Sequence, residues 1–346
     1  MNAKRKVLIY LSVVAISAYG DLAKFNVVVV SAENGKPIPD LLVSASFGND
    51  NGWKAWTESA SVNHDAQKTD SYGRCRLSGK TNNGEVGCWV DPKQDGYYGT
   101  IGGTELKFAR KNLFGVWQPD NLVVTIRLQR IEHPIPLFVK SFSGGGSDSV
   151  KNDSFSEGNG CLKLDLLKGA YLPPVGNGEY ADVEFTRLPH DELGNGTNFN
   201  GRVAPAYRDS MMVRFLGEGN GLAEVPCPEK LAGIMIRKAS LNGYLQEYFC
   251  WKGRMKDLRY SSHFKRDRNF VFRIRTLRDE KGQVKSAYYG KIYGDITFKK
   301  LFGGTTEVAA PSFLYYLNPT PNDRNLEWDM KNNLCINPGD IGQPQP

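Results

Sequence analysis

The sequence has no Cys-x-x-Cys, no His-Glu-x-x-His and no Gly-x-Ser-x-Gly. These absences exclude the tight zinc frameworks, the helix-borne metalloprotease site and the nucleophile elbow of serine hydrolases. Histidine is scarce, at four residues, and no two lie close together. The only Gly-Lys-Thr, Gly79-Lys80-Thr81, has Arg74 where a phosphate loop needs its first glycine. Gly217, Gly219 and Gly221 lack the spacing of a dinucleotide fingerprint. The sequence therefore predicts no catalytic residue, no metal ion and no cofactor.

Long apolar runs are also missing. The longest, Val7 to Ala18, is interrupted by Ser12 and Ser17, well short of the ~20 residues that span a bilayer as a helix. Lys4, Arg5 and Lys6 precede it, and Ala18-Tyr19-Gly20 places small residues at −3 and −1 of a cut before Asp21. Residues 1–20 read as a cleavable signal peptide, so the expected location is periplasmic, cell-surface or secreted. Cleavage would remove three of 44 Lys and Arg and none of 37 acids, lowering the net charge from +7 to +4. So small a bias does not imply nucleic acid as partner, and no transmembrane segment is expected.

What is abundant is turn and strand chemistry: 37 glycines, 16 tyrosines and repeated Asn-Gly and Asp-Gly pairs. The length fits two domains, and the expected fold class is all-β with little helix. Six cysteines, an even number, follow residue 20, and in an oxidising compartment they read as disulfide candidates. Cys75 and Cys88 flank the turn Lys80-Thr81-Asn82-Asn83-Gly84 and are the first expected pair. Cys227–Cys250 and Cys161–Cys335 complete one of fifteen possible connectivities.

Residues 21–140 read as a β-sandwich. Phe25 to Val30 is a β-branched run suited to a strand buried on both faces. Leu41, Val43, Ala45 and Phe47 alternate with Leu42, Ser44 and Ser46, as Leu122, Val124, Ile126 and Leu128 do with Val123, Thr125, Arg127 and Gln129. Between them a polar excursion over 48–68 carries Trp53 and Trp56, the first candidate binding residues, because sugars stack on exposed indoles. The order NGKPIPDLLVSASF, TDSYGR, GYYG and NLVVTIRLQR resembles a carboxypeptidase regulatory-like domain of the transthyretin (prealbumin) type over residues 24–130. That resemblance implies an accessory β-sandwich and carries almost no functional information.

Residues 141–160, with Gly144-Gly145-Gly146, read as a linker or loop. Residues 161–346 read as a second β-rich, sandwich-like domain. Leu162, Leu164 and Leu166, then Ala181, Val183 and Phe185, then Met211, Val213 and Phe215 each keep period two. Phe270 to Arg275, the turn Asp279-Glu280-Lys281-Gly282 and Val284 to Phe298 predict a hairpin. Residues 231–245 are the place where a helix is expected. The phrases HPIPLFVK, SAYYGKIYGDITF and YYLNPTPNDRNLEWD make the chain similar to uncharacterised bacterial exported proteins, which supplies no role.

Two features could carry chemistry. Asp182 and Glu184, two apart on a predicted strand, would share a face about 6–7 Å apart, near the spacing of glycoside hydrolysis. The alternative is the wet side of a sheet. Residues 252–281 hold eleven Lys and Arg against four acids, interleaved with aromatics. Lys252, Arg254, Lys265, Arg266, Arg273 and Arg275 are therefore candidates for an anionic envelope polymer, the alternative being a solvated sheet face. The sequence thus predicts a non-catalytic exported scaffold or binding protein, with an envelope glycan or another surface protein as partner. A carbohydrate-binding accessory protein and a glycan-active enzyme are the alternatives.

Overall fold

The computed structural model describes residues 21–48, 63–90, 96–98, 104–142, 160–225, 236–265, 268–301, 308–339 and 341. Trp53, Trp56, Cys227, Arg266, the signal segment and nearly all of the expected linker lie outside them. The described residues form strands and no helix, so the protein is all-β. No helix among them is long and apolar enough to cross a membrane. The chain divides into two compact units between Glu132 and His133.

The first unit contains β1 (Leu22–Ser31), β2 (Leu42–Phe47), β3 (Asn63–Lys68), β4 (Arg74–Lys80), β5 (Glu85–Val90), β6 (Thr104–Lys107), β7 (Arg110–Lys111), β8 (Trp117–Gln118) and β9 (Leu122–Leu128). One sheet runs β4-β1-β9 and the other β3-β2-β5-β6, with β7 and β8 paired separately. Strict alternation builds the sandwich: Phe25, Val27 and Val29 are buried while Asn26, Val28 and Val30 are half-buried. The expected strand with both faces buried is thus a one-sided strand, because polar Asn26 lies among the residues that face away from the core. Val43, Ala45, Phe47, Val86, Cys88 and Val90 fill the core from the second sheet. At Gly79 a Cβ would lie 2.3 Å from the Phe47 ring, so glycine is required for that ring to cross the strand.

The second unit contains β10 (Ile135–Phe142), β11 (Cys161–Asp165), β12 (Ala170–Tyr171), β13 (Val183–Arg187), β14 (Asp191–Thr197), β15 (Val203–Phe215), β16 (Gly221–Val225), β17 (Glu247–Arg254), β18 (Tyr260–Ser262), β19 (Asn269–Arg278), β20 (Val284–Leu301), β21 (Val308–Leu317) and β22 (Trp328–Asn333). A six-stranded sheet runs β16-β19-β20-β21-β10-β22. A seven-stranded sheet runs β12-β11-β13-β15-β17-β18, with β14 also on β15. Strand β10, placed by sequence at the end of the first domain, pairs with β21 and β22.

The predicted hairpin is β19–β20, antiparallel, with Gly282 at φ +75° and the Asp279 carboxylate accepting the Lys281 and Gln283 amides. The expected helix is absent from its described part. Residues 236–245 are irregular, with a bend at Leu241–Asn242 and isolated bridges from Leu245 to Leu222 and from Lys238 to Asn325. Between the sheets, Leu162, Phe185, Val213 and Phe215 meet Phe272, Ile274, Ile292 and Tyr315. Burying one such side chain is worth about 1.5–3 kcal/mol. The six-stranded sheet is covered on its other side too, where Ile236, Ala239 and Leu326 pack on Val271 and Tyr289. That explains the unbroken burial of 270–274, which alternation alone would not produce.

The five described cysteines are free thiols. The expected Cys75–Cys88 and Cys161–Cys335 bridges are therefore absent from the structure. Cys75 belongs to the β4-β1-β9 sheet and Cys88 to the other, where it faces Ala45 and Thr104 in register. Burial pushes the two thiols up, to about 11 for Cys75 and about 12 for Cys88. Cys161 is exposed at the start of β11, whereas Cys335 follows β22. Cys250 is buried on β17 with its thiol up at about 12, again chiefly from burial.

Candidate functional site

The basic run does not form one patch. Alternation would put Arg273 and Arg275 on the same face of β19, but a bulge separates them, and Arg275 has φ +49°. Arg273 lies under the Tyr244 ring, 4.6 Å from its centroid, and donates to the carbonyls of Gly219 and Leu241. Arg275 reaches the facing sheet instead. Its Nε donates to Asp182 Oδ1 at 2.9 Å and its Nη2 to Asp165 Oδ1 at 2.8 Å, while Tyr180 covers the guanidinium at 4.6 Å.

Arg268 is buried as well. It donates to Asp295 and to the Tyr248 hydroxyl, which itself donates to Asp295 at 2.6 Å. Lys265 is exposed, and its backbone N–H caps the same Asp295 at 2.9 Å. Much of the run is thus internal wiring of the second unit.

The paired carboxylates also part. Asp182 is fully buried ahead of β13, where burial raises its pKa against the pull of Arg275 and of the Leu166 amide. Glu184 points the other way, toward Lys163 at 3.7 Å. Asp165 is held below the usual carboxylate range by the amides of Lys168, Glu179 and Tyr180 and by Arg275, which outweigh its burial. This geometry is an ion clamp between sheets, with no pair of accessible acids.

What remains is a row set by strand register. Tyr207 on β15 pairs with Arg254 on β17, and Arg254 pairs with Tyr260 on β18. The next row is Asp209, Lys252 and Ser262. Period two places both rows on the sheet face that buries Met211, Val213 and Cys250. Here the face runs past the apolar core and becomes a polar shelf.

The Arg254 guanidinium lies 5.5 Å from the Tyr207 ring centroid, and its Nε is buried with no hydrogen-bond partner. Tyr260 is 75% exposed and hydrogen-bonds Tyr207, whose hydroxyl is pushed up to about 12 by burial first and by Tyr260 second. Tyr207 therefore stays neutral at physiological pH. His190 closes the shelf, its Nδ1 2.8 Å from Asp209 Oδ1 and its ring 5.4 Å from that of Tyr207. Asp191, next to His190 in sequence, is taken by Arg208 at 2.8 Å. Lys252 lies over the Phe298 ring at 4.7 Å and donates to the Phe298 carbonyl.

Of the predicted residues, Arg254 and Lys252 thus come together. Tyr207, Asp209 and His190 were missed, because register, not sequence proximity, joins them to the run, whereas Tyr260 is one of the aromatics interleaved in it. An exposed aromatic ring, a half-buried guanidinium and an oriented imidazole can hold a flat polar ring that bears an anionic group. A cleft of about 760 Å³ lies beside Phe138, Tyr171 and Cys335. Its lysines are committed, Lys140 to the Asn337 carbonyl and Lys168 to Glu179.

No family model and no curated protein matches the chain. Among solved structures it is similar to 3-chlorocatechol 1,2-dioxygenase from Rhodococcus opacus 1CP, at 16% identity over 32% of this chain and 61% of that one, with TM-score 0.24. A mutant shaft pilin SpaA from Lactobacillus rhamnosus GG aligns at 10% identity over 88% and 94%, TM-score 0.24. A DUF3823 family protein from Parabacteroides merdae ATCC 43184 aligns at 5% over 90% and 100%, TM-score 0.21. The chain therefore spans 61% of the dioxygenase chain. Overlaps this loose say nothing about role.

Proposed function

We propose that the protein is a non-catalytic exported binding protein whose second unit holds an anionic saccharide of an envelope glycan on the Tyr207–Arg254–Tyr260 shelf. The row itself carries this reading: two tyrosines, one of them largely exposed, flank an arginine whose guanidinium lies over the Tyr207 ring. Tyr260 offers a ring face to the sugar, Arg254 binds its carboxylate or sulfate, and His190 directs Nε2 toward a hydroxyl. Export rests on the signal-like residues 1–20. The first unit, with its resemblance to a carboxypeptidase regulatory-like domain, serves as a scaffold.

The test is a glycan array followed by titration calorimetry. Acidic saccharides are expected to bind, and Tyr260→Ala or Arg254→Gln to weaken them about tenfold or more, the loss of roughly one stacking or charge-assisted contact. Binding should also fall as salt rises from 50 to 500 mM. Unchanged affinity in both variants would overturn the assignment of the site. Turnover of a bound glycan would overturn the non-catalytic part.

A further inference from the structure

The face of the seven-stranded sheet that points away from the core is patterned in rows. Register aligns Lys163 on β11, Glu184 on β13, Arg214 on β15 and Glu247 on β17. Beside them runs a second row, Cys161, Thr186, Met212 and Phe249. Cys161, Lys163, Arg214, Glu247 and Phe249 are exposed, the last at 38%, and Met212 is half-buried. Trp251, half-buried and two residues beyond Phe249, pairs with Ser210 in the third row. An apolar strip on an outer sheet face, next to a line of charge, is unusual for a surface that meets only water.

The order of the charges identifies the occupant. Read across the strands it is plus, minus, plus, minus. Within the chain the neighbours are paired, Lys163 with Glu184 at 3.7 Å and Arg214 with Glu247 at 2.8 Å. Such a row is its own complement when reversed.

Two sheets stacked about a two-fold axis that lies along the strands, between β13 and β15, oppose each row to its own reverse. Lys163 then faces the second copy's position 247, and Glu184 faces its position 214. In the second row Thr186 faces position 212, and Cys161 faces position 249. A row that pairs its own neighbours in this order meets, in a second copy turned about that axis, an opposite charge at each of its four positions.

We propose that this face is an isologous dimer interface between two copies of the chain, aligned by the Lys163–Glu184–Arg214–Glu247 ladder. Four strands about 4.8 Å apart and two complete rows about 6.7 Å apart, extended by Trp251, give a patch of roughly 250–300 Å² per copy. That is about a third of the ~800 Å² of a standard stable interface, so the dimer is weak and forms at high local concentration. This interface is independent of the saccharide shelf, which lies on the opposite face of the same sheet.

Sedimentation equilibrium on the whole protein at several hundred micromolar tests it. The wild type is expected to show a monomer–dimer equilibrium that weakens with salt. Glu184→Arg sets arginine against arginine across the axis, and Arg214→Glu sets glutamate against glutamate. Each alone is expected to raise the dimer Kd about tenfold or more. An equimolar mixture of the two variants is complementary at all four positions and should restore association, as should the Glu184→Arg/Arg214→Glu double variant.

A short bis-maleimide should cross-link Phe249→Cys into dimers through Cys161 and leave the wild type monomeric. Within one chain those positions are three strands apart, about 14 Å. A monomeric wild type at this concentration, or a mixture no better than its components, would overturn the proposal. Where a single variant loses its β-sheet circular dichroism, the double variant decides.

Discussion

Arg275→Met is expected to destabilise the second unit by about 3–5 kcal/mol, because it leaves two buried carboxylates without their counter-ion. Asp182 is fully buried and Asp165 nearly so, and the guanidinium bridges them with contacts of 2.8–3.1 Å. Asp165 would keep three backbone amides, whereas Asp182 would keep the Leu166 amide alone. Asp182 therefore dominates the penalty. Burial already raises its pKa, and losing Arg275 raises it further.

The sign of the pH dependence follows. Between the unfolded pKa and a raised folded pKa, the folded state binds the extra proton, so stability falls as pH rises. Arg275→Met should thus cost more at pH 7 than at pH 4, and Arg275→Met/Asp182→Asn should recover much of the loss at pH 7. Urea denaturation followed by circular dichroism measures both. A loss below about 1 kcal/mol at pH 7, the level of a surface ion pair, would show that the clamp contributes little.

Arg275 also marks where sequence reasoning ends. Period two located the inward residues of β2, β9, β11, β13 and β15, because one face of each of those strands meets a core and the other does not. It misplaced Arg275, since a bulge with a left-handed residue reverses the side chain and leaves no trace in composition. Asp182 and Glu184 separated for a related reason: Asp182 lies just ahead of the strand that carries Glu184.

The charge count over 252–281 was correct as a count and misleading as a surface. Arg268, Arg273 and Arg275 end against carboxylates, carbonyls and rings. The shelf was half legible. Arg254 and Tyr260 stand six apart in the run, but Tyr207 and Asp209 join them only through the β15–β17 register. His190 was not legible, because its bonded carboxylate comes from β15 and not from the adjacent Asp191. The cysteines obeyed the parity rule, yet five of the six are free thiols in this structure.

The second large effect concerns a lysine that no sequence pattern singled out. Lys291, in the middle of β20, is completely buried, with the Tyr293 and Tyr316 rings 4.8 and 5.0 Å from its ammonium. It donates to the Ile236 carbonyl at 3.3 Å and to the Tyr293 hydroxyl at 3.4 Å, both long. Burial drives its pKa well below the ordinary 10.5, and Glu327 pulls only partly the other way.

Above pH 10.5 the amine is neutral in both states and burial carries no ionisation penalty. As pH falls below that, the unfolded chain takes up a proton that the folded chain resists. Stability is then lost at about 1.4 kcal/mol per pH unit until the folded pKa is reached. Lys291→Met keeps the length and apolar stem of the side chain and removes the titration. It is expected to be more stable than the wild type at pH 7, with the advantage shrinking steadily toward pH 10. The methionine also removes the partner that Glu327 feels, but a Glu327 oxygen retains the His133 amide at 2.7 Å. Melting temperatures of both proteins from pH 6 to 10 decide the matter: a methionine variant less stable at pH 7, or two parallel profiles, would mean that Lys291 folds as a charged partner of Glu327.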